Sequence, residues 1–346
     1  MGRQIKMLIL ALTGECNFAC DYCYAHEQPP QVIAFETAVK AIDLAAQSKQ
    51  SFVLQFTGGE PLLAFPVLKK IAAYVSDKKI PALMQIQTNA SLVDQEKAAF
   101  LKKAKIGVGI SFDGWPQQND FFRRLPSGGG TSPLILQGVE ALAAAKVEVG
   151  ITCVVTKKNA AGLAGIVDMA YYLGNVRKIG FDLLRAQGRG AALTAAEPQE
   201  LAKGLQLAIA RVRVLQGYTG RKISFSHTMR VESLAKQEMT GFAHCHAMNG
   251  EAAYIDPQGN IYACASLAGM EQFFIGHVDT GIDASRQREI SDLIQTQMSF
   301  CPQCSSFALC GGACFARWYG AGKKDQPYEG ECVLKNTFIQ EYKTRQ

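Results

Sequence analysis

No stretch of this 346-residue chain approaches the ~20 uncharged apolar residues of a bilayer-spanning helix, so a membrane helix is excluded. Nor is any lysine/arginine run long enough to point to nucleic acid, and the formal charge of +6 is modest. No secretory signal opens the chain. Met1-Gly2-Arg3-Gln4-Ile5-Lys6 leads straight into a strand pattern, and a cytoplasmic location is expected. Ser127-Gly128-Gly129-Gly130 has no phosphate-cradle spacing around it and reads as a flexible loop. Cysteine, by contrast, is plentiful. Eleven cysteines in a chain without an export signal argue for metal rather than disulfides. The length suits one large α/β domain plus a smaller one.

Strand and helix patterns alternate through the first two thirds. Strands are expected over 7–13, 52–57, 83–87, 106–112, 147–156 and 178–184, because each is a short apolar run without helical period. Between them lie helices over 35–48, from Pro61 to about Val75, and from an Asp94 cap through Lys103. Ser132 and Asn159 are expected to cap two more helices. Thr194-Ala195-Ala196-Glu197 reads as a capping box opening a long helix to about Leu215. Six such units imply a parallel sheet with helices outside. Periodicity does not distinguish an open sheet from a partial barrel. After about Gly217 the alternation fades and cysteine density rises, which places a boundary between 1–216 and 217–346. Asp256-Pro257-Gln258-Gly259 reads as a hairpin turn there.

Directly after the first strand, Cys16, Cys20 and Cys23 stand in the spacing C-x3-C-x2-C, with Tyr22 and Tyr24 beside the last. Three thiolates on one loop can hold three irons of a [4Fe–4S] cluster and leave the fourth iron open. A zinc site with His26 as fourth ligand is the plainer alternative. The loop resembles the signature of the radical S-adenosylmethionine (radical SAM) superfamily, whose open iron binds the cofactor's methionine part. That resemblance selects a partial (β/α)6 barrel. It also makes Gly58-Gly59-Glu60 similar to the family's motif for the methionine amino group. Their glycines allow a close backbone approach, and Glu60 offers an acceptor. On the same resemblance Tyr22, Asn89, Ser111 and Arg123 are further cofactor-binding candidates; Arg124 is an alternative to Arg123. Cys153, in mid-strand, reads as a buried inert thiol.

The second half carries Cys245, Cys264, Cys301, Cys304, Cys310, Cys314 and Cys332, with C-x2-C-x5-C-x3-C at its centre. Paired zinc sites would use similar half-sites. The complete pattern resembles the SPASM domain, which binds two auxiliary [4Fe–4S] clusters. By position, Cys301, Cys304, Cys310 and Cys332 would hold one cluster, and Cys245, Cys264 and Cys314 the other. The resemblance therefore implies three clusters and S-adenosylmethionine as cofactors. Anaerobic sulfatase maturases, the best-known relatives, complete the second set with a cysteine where Glu251 stands here. They also carry an aspartate where Ala265 stands, so formylglycine formation is disfavoured. Glu251, His244, His246 or a substrate thiolate would fill the remaining iron position.

These resemblances imply a peptide maturase that installs a thioether or other crosslink in a ribosomally made precursor. A flavodoxin or ferredoxin would supply electrons. Relatives often begin with a winged-helix leader-binding domain. Here the first strand follows Met1 closely, so leader recognition is expected of a separate protein or of the cysteine-rich half, or is unnecessary. A sulfatase maturase, a small-molecule enzyme using the barrel site alone, and a non-catalytic electron carrier are the alternatives.

Overall fold

A computed structural model describes residues 3–237 and 241–345. Its first half is built from β1 (Met7–Ala11), α1 (Phe35–Ala46), β2 (Phe52–Thr57), α2 (Phe65–Asp77), β3 (Ala82–Thr88), α3 (Gln95–Lys103) and β4 (Gly107–Ser111). It continues through α4 (Pro116–Phe122), α5 (Ser132–Ala144), β5 (Val149–Val155), α6 (Ala164–Leu173), β6 (Val176–Leu183) and α7 (Pro198–Thr219). All six expected strands are present, β2 with the expected bounds and the others ending within two residues of theirs. They pair in parallel from β1 to β6, giving the expected partial barrel.

The helix starts depart more. Asp94 caps α3 as expected, accepting from the Lys97 amide at 2.8 Å. Ser132, however, is already inside α5. Asp120 does the capping, its Oδ1 accepting from the Thr131 and Ser132 amides at 2.9 and 2.8 Å. Asn159 folds back to accept from the Thr156 amide instead of capping forward. The Thr194–Glu197 box does not form, because Pro198 starts α7 with a fixed helical φ. That helix runs on to Thr219, across residue 216.

Past it come β7 (Ser224–Phe225), α8 (Ser226–Ala235), β8 (Ala252–Ile255), β9 (Asn260–Tyr262), β10 (Phe274–His277) and β11 (Gly281–Ile282). The helices α9 (Ala284–Gln297), α10 (Phe307–Cys310), α11 (Phe315–Gly320) and α12 (Glu329–Lys343) complete the described chain. The cysteine-rich half does not stand apart. Strand β8 pairs in parallel with β1, and β7 with β6, so a single sheet runs β11-β10-β9-β8-β1-β2-β3-β4-β5-β6-β7. The turn at 256–259 joins β8 to β9 as expected, with Asp256 accepting from the Gln258 and Asn260 amides and Gly259 at φ 94°.

Strand alternation separates the two faces of this sheet. Phe52, Leu54 and Phe56 of β2, with Val149, Ile151, Cys153 and Val155 of β5, are buried under the helices. Facing inward are Gln55 and Thr57, Gln85 and Gln87, Gly107, Gly109 and Ser111, Gly150 and Thr152, and Gly180 and Asp182. Closed barrels fill this space with layers of Val, Ile and Leu. Small and polar residues leave it hollow here.

Candidate active site

The cysteine loop and the Gly58-Gly59 turn are held together backbone to backbone. Gly59 N donates to Thr13 O and Glu60 N to Glu15 O, both at 2.8 Å. A Cβ on Gly58 would lie deep inside the contact distance of Thr13 O, and one on Gly59 would do the same to Glu15 O. Gly58 also sits at φ 145°, which L side chains rarely adopt. The close approach that these glycines permit is therefore to the cysteine loop itself. A cavity of about 210 Å³ opens beside them, walled by Cys16, Cys20, Cys23, Gly58, Gly59 and Asn89, with Tyr22, Ser111 and Arg123 among its other walls.

No histidine and no fourth cysteine among the described residues lines this cavity. His26 lies outside it, 3.5 Å from Glu27. The donor set fits a cluster held by three thiolates with one iron open. Burial pushes the Cys16 thiol up to about 12 and Cys20 up to about 11. Such thiols keep their protons until a metal displaces them.

Glu60 does not line the cavity. It is fully buried, and its Oε1 accepts from the Leu62 amide at 3.0 Å and the Thr88 hydroxyl at 2.6 Å, its Oε2 from the Asn89 amide at 2.7 Å. Burial pushes its carboxyl up to about 7 despite these three donors. Asn89 carries the link onward, donating from Nδ2 to Asn17 Oδ1 at 2.9 Å. In this geometry Glu60 ties β3 to the helix start at Pro61 and thereby shapes the site.

Arg123 lines the cavity and forms a buried fork with Asp113, Nε to Oδ2 at 2.9 Å and Nη2 to Oδ1 at 3.1 Å. Tyr22 donates its hydroxyl to the same carboxylate, and Arg123 stands over the Tyr22 ring at 5.3 Å. Asp113 thus fixes both candidates. Arg124 is half-exposed and donates to Phe121 O, away from the cavity. Ser111 accepts from Gln87 Nε2 at 3.0 Å on the cavity wall. Cys153 is buried on the helix side, with its thiol held well above the ordinary range; it lines neither of the two cavities at this site.

A second cavity of about 540 Å³ continues the first, sharing Tyr24, Thr57, Gln87, Thr152, Asp182 and Arg185 as walls. Cys245, Cys264, Cys310 and Cys314 are among its other walls. Mutual electrostatic influence sorts the seven thiols of this half into two groups. Cys264 feels Cys245 and Cys314, and Cys245 feels Cys314. Cys332 feels Cys310, Cys301 and Cys304, and Cys301 feels Cys310 and Cys304. Among the described residues no three His, Cys, Asp or Glu side chains converge as a single-ion site. His244 and His246 line the second cavity, but Glu251 does not; it is held by Lys6 at 2.6 Å and lies 3.3 Å from His246. Ala265 is on the wall.

Sequence reasoning missed the charges that join these sites. Asp182, at the carboxyl end of β6, pairs with Arg185 at 2.5 Å and with Arg317. Arg317 in turn holds Glu331 at 2.7 Å, and Lys335 meets His244 Nδ1 at 2.6 Å and Glu331 at 3.8 Å. For Asp182 the available signal was a charged residue inside an apolar strand pattern, Gly180-Phe181-Asp182-Leu183; Arg317, Glu331 and Lys335 stand on helices and gave no such signal.

A three-thiol loop and a glycine turn at the carboxyl mouth of a hollow parallel half-barrel define a cofactor-dependent enzyme site. Residues 10–170 match the radical SAM superfamily. MJ0907, an uncharacterized protein of Methanocaldococcus jannaschii, is 32% identical over 268 residues, covering 77% of this chain and 87% of that one. A cysteine-type anaerobic sulfatase-maturating enzyme of Clostridium perfringens is 24% identical over 369 residues, 98% of this chain and 94% of that enzyme. In fold, the chain is similar to native anSMEcpe with bound AdoMet and Cp18Cys peptide, with a TM-score of 0.81 at 20% identity over 98% of this chain and 96% of that one. This chain belongs to the radical SAM superfamily and is an enzyme of it.

Proposed function

We propose that this enzyme oxidatively modifies a peptide, forming a thioether or other crosslink in a ribosomally made precursor. When bound at Cys16, Cys20 and Cys23, a [4Fe–4S] cluster would supply the electron that cleaves S-adenosylmethionine to a 5′-deoxyadenosyl radical. Residues 217–346 would form the auxiliary-cluster half, with Cys301, Cys304, Cys310 and Cys332 on one cluster and Cys245, Cys264 and Cys314 on the other. One observation carries this reading: the two three-thiol sets line adjoining cavities of about 210 and 540 Å³ that share walls, space enough for a substrate. A cysteine-type maturase that matches nearly the whole chain, and a similar fold seen with a peptide, support a peptide substrate.

Gly58, Gly59, Asn89, Ser111, Tyr22 and Arg123 would shape and contact the cofactor, with Glu60 fixing the turn. A flavodoxin- or ferredoxin-type donor would deliver electrons, and a separate protein could present a leader segment. Sulfatase maturation is the second reading, favoured by the same relative. Ala265 weighs against it, because a methyl group cannot take the proton that formylglycine formation releases. Anaerobic reconstitution tests the proposal: about twelve irons should bind, four in each of three clusters. With dithionite, S-adenosylmethionine should yield 5′-deoxyadenosine and methionine. A zinc-loaded, colourless C-terminal half from anaerobic cells would refute the auxiliary assignment.

A further inference from the structure

The hollow is open at the amino ends of the strands too, the end away from the cysteine loop. Inward-facing Leu83 is 67% exposed there, and Gly107 and Lys178 are exposed with it. Gly107 and Lys178 line a cavity of about 550 Å³, which shares Gln87 and Thr152 with both deeper cavities. The cavities therefore adjoin one another from this mouth to the cysteine loop, and together they make up one passage.

Around the mouth lie the turns that lead from each helix into the next strand. Four of them hold a lysine in the left-handed conformation: Lys49, Lys79, Lys105 and Lys146, at φ 55°, 52°, 53° and 56°. Three are Schellman caps. Lys79 N donates to Ser76 O and Ile80 N to Val75 O, a pattern repeated at Lys105–Ile106 and Lys146–Val147. Glycine is the residue this position favours, and the chain uses it after α6 and α7, at Gly174 and Gly220. A lysine serving only the helix dipole can sit earlier without strain, as Lys78, Lys102 and Lys103 do. The four left-handed lysines are exposed and, like Lys178, make no ion pair among the described residues. Of the acidic side chains beside these turns, Asp77 is exposed and Glu148 is held by Arg177 at 3.0 Å.

We propose that this basic mouth docks an acidic polypeptide segment, which enters the passage in extended form. It rests on the peptide-maturase reading and names the charge of the peptide. Inside the mouth, Gln85 donates to Gln55 at 3.1 Å, and such amides offer donors and acceptors to a passing backbone. Glycines at 107, 109, 150 and 180 leave room for its side chains. Charges spaced around a hole suit a chain that enters it; a nucleic acid would be tracked along a groove with aromatic platforms.

The test combines Lys79→Gly, Lys105→Gly and Lys146→Gly in the full chain, reconstituted anaerobically. Three charges are removed while the three caps receive their preferred residue, so the melting temperature should match or exceed that of the wild type. Fluorescence anisotropy with a labelled alternating Glu-Gly peptide should show binding that salt weakens, and none with the Lys-Gly counterpart. The triple variant should bind the acidic peptide roughly threefold to a hundredfold more weakly, the range for three exposed charge contacts. Unchanged affinity in the variant overturns the proposal, and so does an oligothymidylate that binds the wild type as tightly as the acidic peptide. A peptide found to be modified with the same kcat/KM by both proteins overturns the docking proposal alone. Modification of a small molecule and of no peptide overturns the maturase reading instead.

Discussion

Glu60→Gln separates a carboxylate that binds the cofactor from one that builds the site. In the structure both oxygens of Glu60 are spent on protein donors: two backbone amides and the Thr88 hydroxyl. Glutamine keeps one acceptor and adds two donors. The amide can accept from Asn89 N and donate to Thr88 Oγ1, which then strands Leu62 N in a fully buried position. A stranded buried donor costs about 1–3 kcal/mol. That is a sizeable part of the ~5–15 kcal/mol by which a domain is stable, but not all of it. Urea unfolding at pH 8, above the value of about 7 to which burial pushes the Glu60 carboxyl, should show this loss. A double-mutant cycle with Thr88→Val should show coupling of about 0.5–3 kcal/mol, as expected for residues in one hydrogen-bond network. S-adenosylmethionine affinity, measured by anaerobic equilibrium dialysis, should fall less than tenfold. The opposite pattern would refute the argument: unchanged stability with a tenfold to hundredfold loss of affinity, the worth of a charge-assisted hydrogen bond. The carboxylate would then turn into the cavity to meet the methionine amine.

Gly59→Ala should abolish cluster reconstitution at the first site, because its Cβ collides with backbone rather than with a movable side chain; iron content per chain reports this. Replacing Cys245, Cys264 and Cys314 with alanine should remove about four irons and leave the rest. Arg317→Met should destabilise by about 3–5 kcal/mol in denaturant titrations, since Arg317 neutralises Asp182 and the buried Glu331 at once. His227 stacks on Phe338 with ring centroids 4.9 Å apart, and burial depresses its pKa to about 3. Its folded value lies below the unfolded one of ~6.5, so its contribution is complete above that pH. Stability should fall by up to about 1.4 kcal/mol per pH unit as the pH drops from 6.5 toward 3. His227→Phe, which keeps the stack, should flatten that slope; an unchanged slope would assign it to another group.

Much of this enzyme is written locally. Short apolar runs without helical period mark six strands, because a residue's neighbours two positions away decide which face is buried. The cysteine loop and the Gly-Gly turn are one strand apart in sequence and neighbours in space, because parallel strands bring every carboxyl end to one rim. Tertiary structure decided the rest. Pro198 overrode a capping box that was intact in sequence, and Asp120, eleven residues before Thr131, took the cap assigned to Ser132. The hydrogen bonds that brace Glu60 come in part from Thr88 and Asn89, which arrive from another strand. The joining of β8 to β1 and the chain of charges from Arg185 to Lys335 depend on groups well over a hundred residues apart. Burial and pairing of that kind are properties of an enclosed space, and a space is set by everything around it, which no single stretch of sequence contains.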